Sequence, residues 1–237
     1  MRILLVADIH GNWPALQALQ EAHDVCLFLG DLVDYCVEPA PCIDWVRKSC
    51  RYAVRGNHDH GAAQNVTTAG MDGFKYLTGA TRPLTRERAG TDGLRFLADL
   101  PVTRMANLDD LQFLLVHATP LDPLDEHAPP AADFWAPRLE SIEADVVCVG
   151  HTHQPYVLEV GNKLVVNPGS LGMPWDGDSR GAYAVIENME VELKRVEYPI
   201  EDTVRAIHDS SISEQAKDML AEVLRSGKSL RELEKGS

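Results

Sequence analysis

The chain of 237 residues is 45% hydrophobic and 24% charged, a balance that excludes disordered, collagenous and fibrous proteins and supports a packed core. Its formal net charge of −14 repels polyanions at long range, which argues against long nucleic acid or an acidic membrane surface as partner. A small phosphate ester stays open, because bound divalent metal reverses the sign locally.

In chain order, the first half alternates short apolar runs with helical patterns. Ile3 to Ala7, Val25 to Leu29 and Tyr52 to Val54 read as strands, Trp13 to Ala22 and Ala40 to Ser49 as helices, so βαβ units and a partly parallel sheet are expected. Asn12 is suited to cap the first helix, with Pro14 in its first turn. Between Gly61 and Leu100 the pattern is mixed and polar, and only a helix from Thr91 to Asp99, stopped before Pro101, stands out.

Three hairpins follow: Val102 to Asn107 with Leu111 to Val116, Tyr156 to Val160 with Lys163 to Val166, and Tyr183 to Ile186 with Val191 to Val196. They predict a second, more antiparallel sheet. Helices are expected over Ala132 to Glu143 and in a C-terminal tail from Ile200 to Arg225, with the charged end after Gly227 frayed. One domain over 1–237, with a helical tail from about residue 200, is the expected organisation. The apolar runs fall well short of the roughly 18 residues of a membrane span. With no secretory pattern ahead of Arg2, the expected compartment is the cytoplasm. The cysteines at 26, 36, 42, 50 and 148 are odd in number and form no C-x-x-C pair, so they are expected as small core residues.

The informative regularity lies at the ends of the apolar runs. These deliver Asp8 and His10; Gly30-Asp31; Gly56-Asn57-His58-Asp59; His117; and Gly150-His151-Thr152-His153. In α/β sheets, side chains beyond the carboxyl ends of neighbouring strands converge on one crevice. Asp or Asn oxygens and imidazoles without thiolate suit borderline divalent ions such as Mn, Fe, Co, Ni or Zn. Seven ligands exceed one ion's shell, and two ions roughly 3.5–4 Å apart are the arrangement used for in-line attack on phosphorus. Any one piece taken alone has an ordinary structural explanation; the ordered set is what carries weight.

D-x-H, G-D-x-x-D, G-N-H-D, an isolated H and G-H-T-H, in this order from Met1 to Glu197, resemble the calcineurin-like metallophosphoesterase superfamily. Asp8-Ile9-His10-Gly11-Asn12, His117-Ala118-Thr119-Pro120 and Asn167-Pro168-Gly169-Ser170 resemble its small prokaryotic phosphodiesterase group. The resemblance implies an α/β fold with a two-sheet mixed β-sandwich flanked by helices. It implies that Asp8, His10 and His153 hold one divalent metal, that Asn57, His117 and His151 hold a second, and that Asp31 bridges them. Asn57 would also touch substrate. His58 would be the proton donor to the leaving oxygen, with Asp59 orienting it, and attack would come from a hydroxide bridging the metals.

The chain departs from close relatives at Asp34, where they often carry glycine, and at Trp175, where they carry a basic residue. Arg180 either supplies the missing positive charge or pairs with its acidic neighbours. The segment from Pro120 to Pro130 either lies over the pocket mouth or is an ordinary surface loop, and His60 and His127 read as surface residues. The expected activity is a dimetal phosphodiesterase on a small phosphate ester. Alternatives are a nucleotide phosphatase or dinucleoside polyphosphate hydrolase and, in another class, a metal-binding scaffold without turnover. Oligomeric state is open, a homo-oligomer included.

Overall fold

The computed structural model describes residues 1–68, 70–71 and 73–235. Alternation along the first strand organises the layers. In β1 (Arg2–Val6), Leu4 and Val6 face one way and Ile3 and Leu5 the other, and both sets are buried. A strand covered on both faces reads as a continuous apolar run. β1 pairs in parallel with β2 (Val25–Phe28), and β2 with β3 (Cys50–Ala53). On its other edge β1 pairs antiparallel with β9 (Gly181–Glu187), which carries β10 (Glu190–Val196). The third hairpin thus completes the first sheet, ordered β10-β9-β1-β2-β3, rather than adding to the second.

The second sheet comprises β4 (Thr103–Leu108), β5 (Leu111–Val116), β6 (Val146–Cys148), β7 (Tyr156–Val160) and β8 (Lys163–Asn167), ordered β4-β5-β6-β8-β7. It is mixed, because β5, β6 and β8 run parallel between two antiparallel edges. Asp109 and Asp110 both take positive φ, 55° and 63°, as the tight turn of the β4–β5 hairpin requires.

Ile3, Leu5, Leu27 and Leu29 meet Phe113, Leu115, Val146 and Val166 between the sheets. Outside the first sheet, Leu4, Val6 and Phe28 pack under α1 (Trp13–Ala18), α2 (Pro39–Ser49) and the far end of α4 (Gly73–Asp99). Outside the second, Val116, Val147 and Val165 pack under Trp135 and Leu139 of α5 (Ala132–Leu139). The fold is therefore the expected α/β sandwich of two mixed five-stranded sheets flanked by helices.

Three local expectations are corrected. The polar middle is largely helical: α3 (Asn57–Gln64) is followed by α4, which breaks at Gly90. α1 stops at Ala18, four residues early, where Leu19 turns extended. The tail holds α6 (Ile200–His208), α7 (Glu214–Ser226) and α8 (Leu230–Lys235), and α8 is anchored rather than frayed, the last two positions of that expectation, 236–237, lying outside the described residues. Leu230 is buried in a cluster with Tyr35, Met173 and Leu224, which ties the tail to the loops at the strand ends. Among the described residues no helix is long and apolar enough to cross a membrane. The five cysteines are free, with Cys26 and Cys50 on neighbouring strands 3.2 Å apart at sulfur.

Candidate metal centre

At the carboxyl ends of β1, β2, β5 and β6 the chain turns sharply. Asp8, His10, Asp31, Asp34, Tyr35, His151 and His153 all take left-handed conformations, with φ between 49° and 69°. Such backbone is unfavourable for side-chain-bearing residues and clusters where function requires it. Gly30, at φ 99°, permits a close approach: a Cβ there would lie 2.7 Å from both the Gly56 nitrogen and His117 Nδ1.

These turns assemble two triads of side chains, Asp8, His10 and His153 in one and Asp31, His117 and His151 in the other. Within each, the ligand atoms lie within 4.8 Å of one another. Asp31 Oδ2 stands 3.2 Å from His117 Nε2 and 3.8 Å from His10 Nε2, between the triads. Asn57 Oδ1 lies 3.2 Å from His117 Nε2, on the second triad.

The donor chemistry fits cations. Nδ1 of His10 donates to the Val33 carbonyl at 2.9 Å, that of His153 to Met173 at 2.6 Å, and that of His117 to Leu29 at 2.8 Å. A carbonyl oxygen can only accept, so each ring carries its proton on Nδ1 and, when neutral, turns a lone pair inward at Nε2. His10 and His153 bring those two nitrogens to 3.1 Å of each other, a repulsive contact that a cation between them relieves. His151 is reversed: its Nε2 donates to the Asp125 carbonyl at 3.2 Å, which leaves the lone pair on Nδ1.

Burial keeps most of these imidazoles neutral. It lowers His10 to about 4 despite Asp31, and together with the charge of His117 it lowers His151 to about 3. His117 overcomes its burial through Asp31 and rises to about 9, while His117 and His58 hold the buried Asp31 carboxyl well below the usual range. Burial and the nearby Asp31 charge push Asp8 well up, against the pull of His117. A divalent ion supplies the positive charge that this buried pair of carboxylates lacks.

His58 lies beside the ligands, its ring 5.0 Å from that of His10 and its backbone amide donating to Asp31 Oδ1 at 2.9 Å. Its orienting carboxylate is Asp34, not Asp59: Nδ1 is 2.8 Å from Asp34 Oδ2. Asp59 instead accepts the backbone amides of Asp31, Leu32 and Gly56 at 2.9, 2.8 and 3.1 Å. It sits at the third position of α3, from which its side chain folds back over the helix start. Nε2 of His58 meets the Tyr35 hydroxyl at 3.2 Å. Burial lowers the His58 pKa, but Asp31 and Asp34 more than offset it and the net shift is upward.

Arg180 is not brought to the cluster. It is exposed, and its guanidinium grips Asp178 at 2.7 Å, the neighbour-pairing alternative. Trp175 stacks on His153 at 3.6 Å and 11° and touches Phe74 on its other side at 4.3 Å, its buried indole nitrogen unpartnered. The segment from Pro120 to Pro130 lies against the second triad through Asp125, and the exposed His127 packs its ring 4.7 Å from that of His151. Asn167 and Ser170 act as braces: Asn167 donates to the Gly150 carbonyl at 2.7 Å, and Ser170 to that of Asp8 at 2.7 Å. Sequence reasoning missed the partnership of Asp34 with His58, although the G-D-x-x-D spacing held the signal, and it missed Tyr35, for which there was none.

Comparison with known proteins gives the family and the fold. Residues 1–190 match the model of the calcineurin-like phosphoesterase superfamily domain. The uncharacterized protein MJ0912 of Methanocaldococcus jannaschii is 26% identical over 242 residues, covering 90% of this chain and 94% of its own. A metallophosphoesterase from Sphaerobacter thermophilus superposes with a TM-score of 0.79 at 28% identity, covering 96% of this chain and 99% of the other. The hypothetical protein PH1004 of Pyrococcus horikoshii, at 22% identity and a TM-score of 0.80 over 92% and 97% of the two chains, shares the fold. The chain belongs to the calcineurin-like phosphoesterase superfamily.

Proposed function

We propose that this member of the superfamily is a dimetal phosphodiesterase acting on a small phosphate ester in the cytoplasm. The observation that carries the reading is the pairing of His58 with Asp34 beside two ligand triads, because a scaffold without turnover needs no oriented proton donor. Divalent ions held by Asp8, His10 and His153 and by Asp31, Asn57, His117 and His151 would activate water and neutralise the phosphoryl oxygens. The remaining work falls to the chain. Asp34 accepts from Nδ1 and, with Asp31, favours the doubly protonated His58 ring, whose Nε2 then carries the proton to be given to the leaving oxygen. The amide of Asn57 would also touch a phosphoryl oxygen. Trp175 and the Asp125–His127 segment flank the ligands and limit access by water and by large substrates.

Charge supports a diester over a monoester or a polyphosphate. Arg82 is committed to Asp34 and Arg180 to Asp178, so neither guanidinium is free for a second phosphate charge. A monoanionic diester asks least of such a site. The net charge of −14 likewise favours a small substrate over long nucleic acid.

The test is to strip the protein, reload it with Mn, Ni, Co, Fe or Zn, and compare bis-aryl with mono-aryl phosphates. Metal-restored diester turnover is expected. Replacing His58 with Ala is expected to slow turnover by about 10²-fold or more with two metals still bound. Monoester turnover alone would make the protein a phosphatase, and no turnover with both metals bound would make it a scaffold.

A further inference from the structure

One buried cation enters the reading above only as a charge withheld from phosphate. Arg82, on α4, is 7% exposed. Its Nε donates to both Asp34 oxygens at 2.9 Å, its Nη2 to Oδ2 at 2.5 Å, and its Nη1 to the Val66 carbonyl at 3.2 Å. Asp34 is itself fully buried and gives its remaining hydrogen-bonding capacity to Nδ1 of His58 at 2.8 Å. The three side chains form one line, guanidinium to carboxylate to imidazole, running from α4 to the edge of the ligand cluster. Gly61 makes room for it: any Cβ at that position of α3 would collide with Nη1 and Cζ of Arg82. The helix that begins with Asn57 and His58 is thus shaped around the head group of an arginine from a different helix.

Resting on the hydrolase reading, we infer that Arg82 is a positioning residue for proton transfer: through Asp34 it fixes the His58 ring so that Nε2 serves the leaving oxygen. The physical reason is the planar fork. A guanidinium fixes the plane and position of the carboxylate it grips, which a single ammonium contact does not. Without it, the buried Asp34 keeps one hydrogen-bond partner and is free to rotate, and the His58 ring rotates with it. Buried ion pairs give little net stability in themselves, so the pair is better explained by the geometry it imposes.

The experiment compares wild type, Arg82→Ala and Arg82→Lys on two diesters that differ only in leaving group. One leaves as 4-nitrophenolate, which departs without a proton; the other leaves as a simple alcohol, which needs one. Arg82→Ala is expected to slow the alcohol ester by about 10²-fold, within the range of general-acid effects, and the nitrophenyl ester only a few-fold. Arg82→Lys, which keeps the charge and loses the fork, is expected to fall between and serves alone should the alanine variant not fold. Nitrogen-15 NMR of the metal-free protein gives a readout independent of turnover: the hydrogen-bonded Nδ1 proton of His58 is expected to be lost in the variants. Equal slowing of both esters, or an unchanged His58 signal, would overturn the inference and leave Arg82 as packing. If wild type turned over neither ester with both metals bound, the hydrolase reading would fail, and the NMR comparison would still decide whether Arg82 sets the His58 ring.

Discussion

Replacing Asp59 with Ala separates a strut from a catalytic partner. The carboxylate accepts three buried backbone amides, those of Asp31, Leu32 and Gly56, while the His58 ring hydrogen-bonds to Asp34 instead. Each buried amide left without an acceptor costs about 1–3 kcal/mol, so three cost about 3–6 kcal/mol after partial rescue by water. Net stabilities of domains are about 5–15 kcal/mol, so this is a large share. At about 2–4 °C per kcal/mol for a chain of this size, the melting temperature is expected to fall by about 6–24 °C. Asp59→Asn keeps an oxygen for one or two of the amides and is expected to lose about 1–2 kcal/mol. The assay is thermal and urea unfolding of metal-free protein, followed by metal analysis after reloading. A melting temperature for Asp59→Ala within about 2 °C of wild type would refute the strut, since even one orphaned amide should move it further. A leaving-group preference changed as it is by loss of His58 would restore Asp59 to the role of orienter.

Ser170 donates to the Asp8 carbonyl and accepts the Met173 amide at 2.8 Å, while the Met173 carbonyl holds His153, so it links two ligands of the first triad without being one. Ser170→Ala is expected to weaken binding at that triad by about 10-fold, read by manganese titration, and an unchanged affinity would show that the ligands hold themselves. Because Trp175 stacks on His153, loading with Mn, Co or Ni should quench part of the tryptophan emission. That part is expected to vanish in Trp175→Phe, and a full quench persisting there would place the binding elsewhere. Glu21 tests acid stability: against some cost of burial, Lys194, Arg2 and Tyr183 hold its pKa at about 2 instead of 4.5. A depressed carboxylate contributes stability that is fully present above about 4.5 and lost as pH falls toward about 2. In urea midpoints measured from pH 6 to 2, Glu21→Gln is therefore expected to flatten the acid limb, and an unchanged slope would remove Glu21 from it.

The strand ends were legible because each ligand follows an apolar run directly, and a run of Val, Leu and Cys buried on both faces announces itself in one dimension. The third hairpin was legible as a hairpin, but nothing in its alternation says which sheet it joins. That choice is made by β1, whose free edge accepts β9 from Arg2 to Leu5. α4 was hidden by its own composition. It buries Thr78 and Thr81, whose hydroxyls return to the carbonyls of Phe74 and Leu77 at 2.9 Å, and it contains Pro83 and a break at Gly90. Its arginines find their acceptors on distant segments, Arg82 at Asp34 and Arg88 at the Val37 carbonyl. Adjacency suggested Asp59 for His58, yet helix geometry sends the third residue of a helix back toward the cap. Asp34 is 24 positions away from His58, and Arg82 is 48 from Asp34, separations at which a single sequence gives no pairing signal.

Seven left-handed residues at one site carry a collective cost. At about 1–2 kcal/mol each they amount to the order of 10 kcal/mol, comparable with the whole net stability of a domain. The turns persist because non-ligand groups hold them. Asp59 ties Gly56 to the Asp31–Leu32 turn, Ser170 ties the Asp8 turn, and Asn167 ties Gly150. Asn12 joins the Gly172 carbonyl at 2.7 Å to the Thr203 hydroxyl of α6 at 2.8 Å. The last contact reaches into the tail, beyond residue 190 where the family match ends. The tail helices therefore bear on the site they do not enter: Leu230 and Leu224 share a cluster with Met173, whose carbonyl fixes His153. The geometry of the first triad is accordingly a property of the whole chain rather than of its motifs, and substitutions far from any ligand should alter metal affinity in proportion to how firmly they hold these turns.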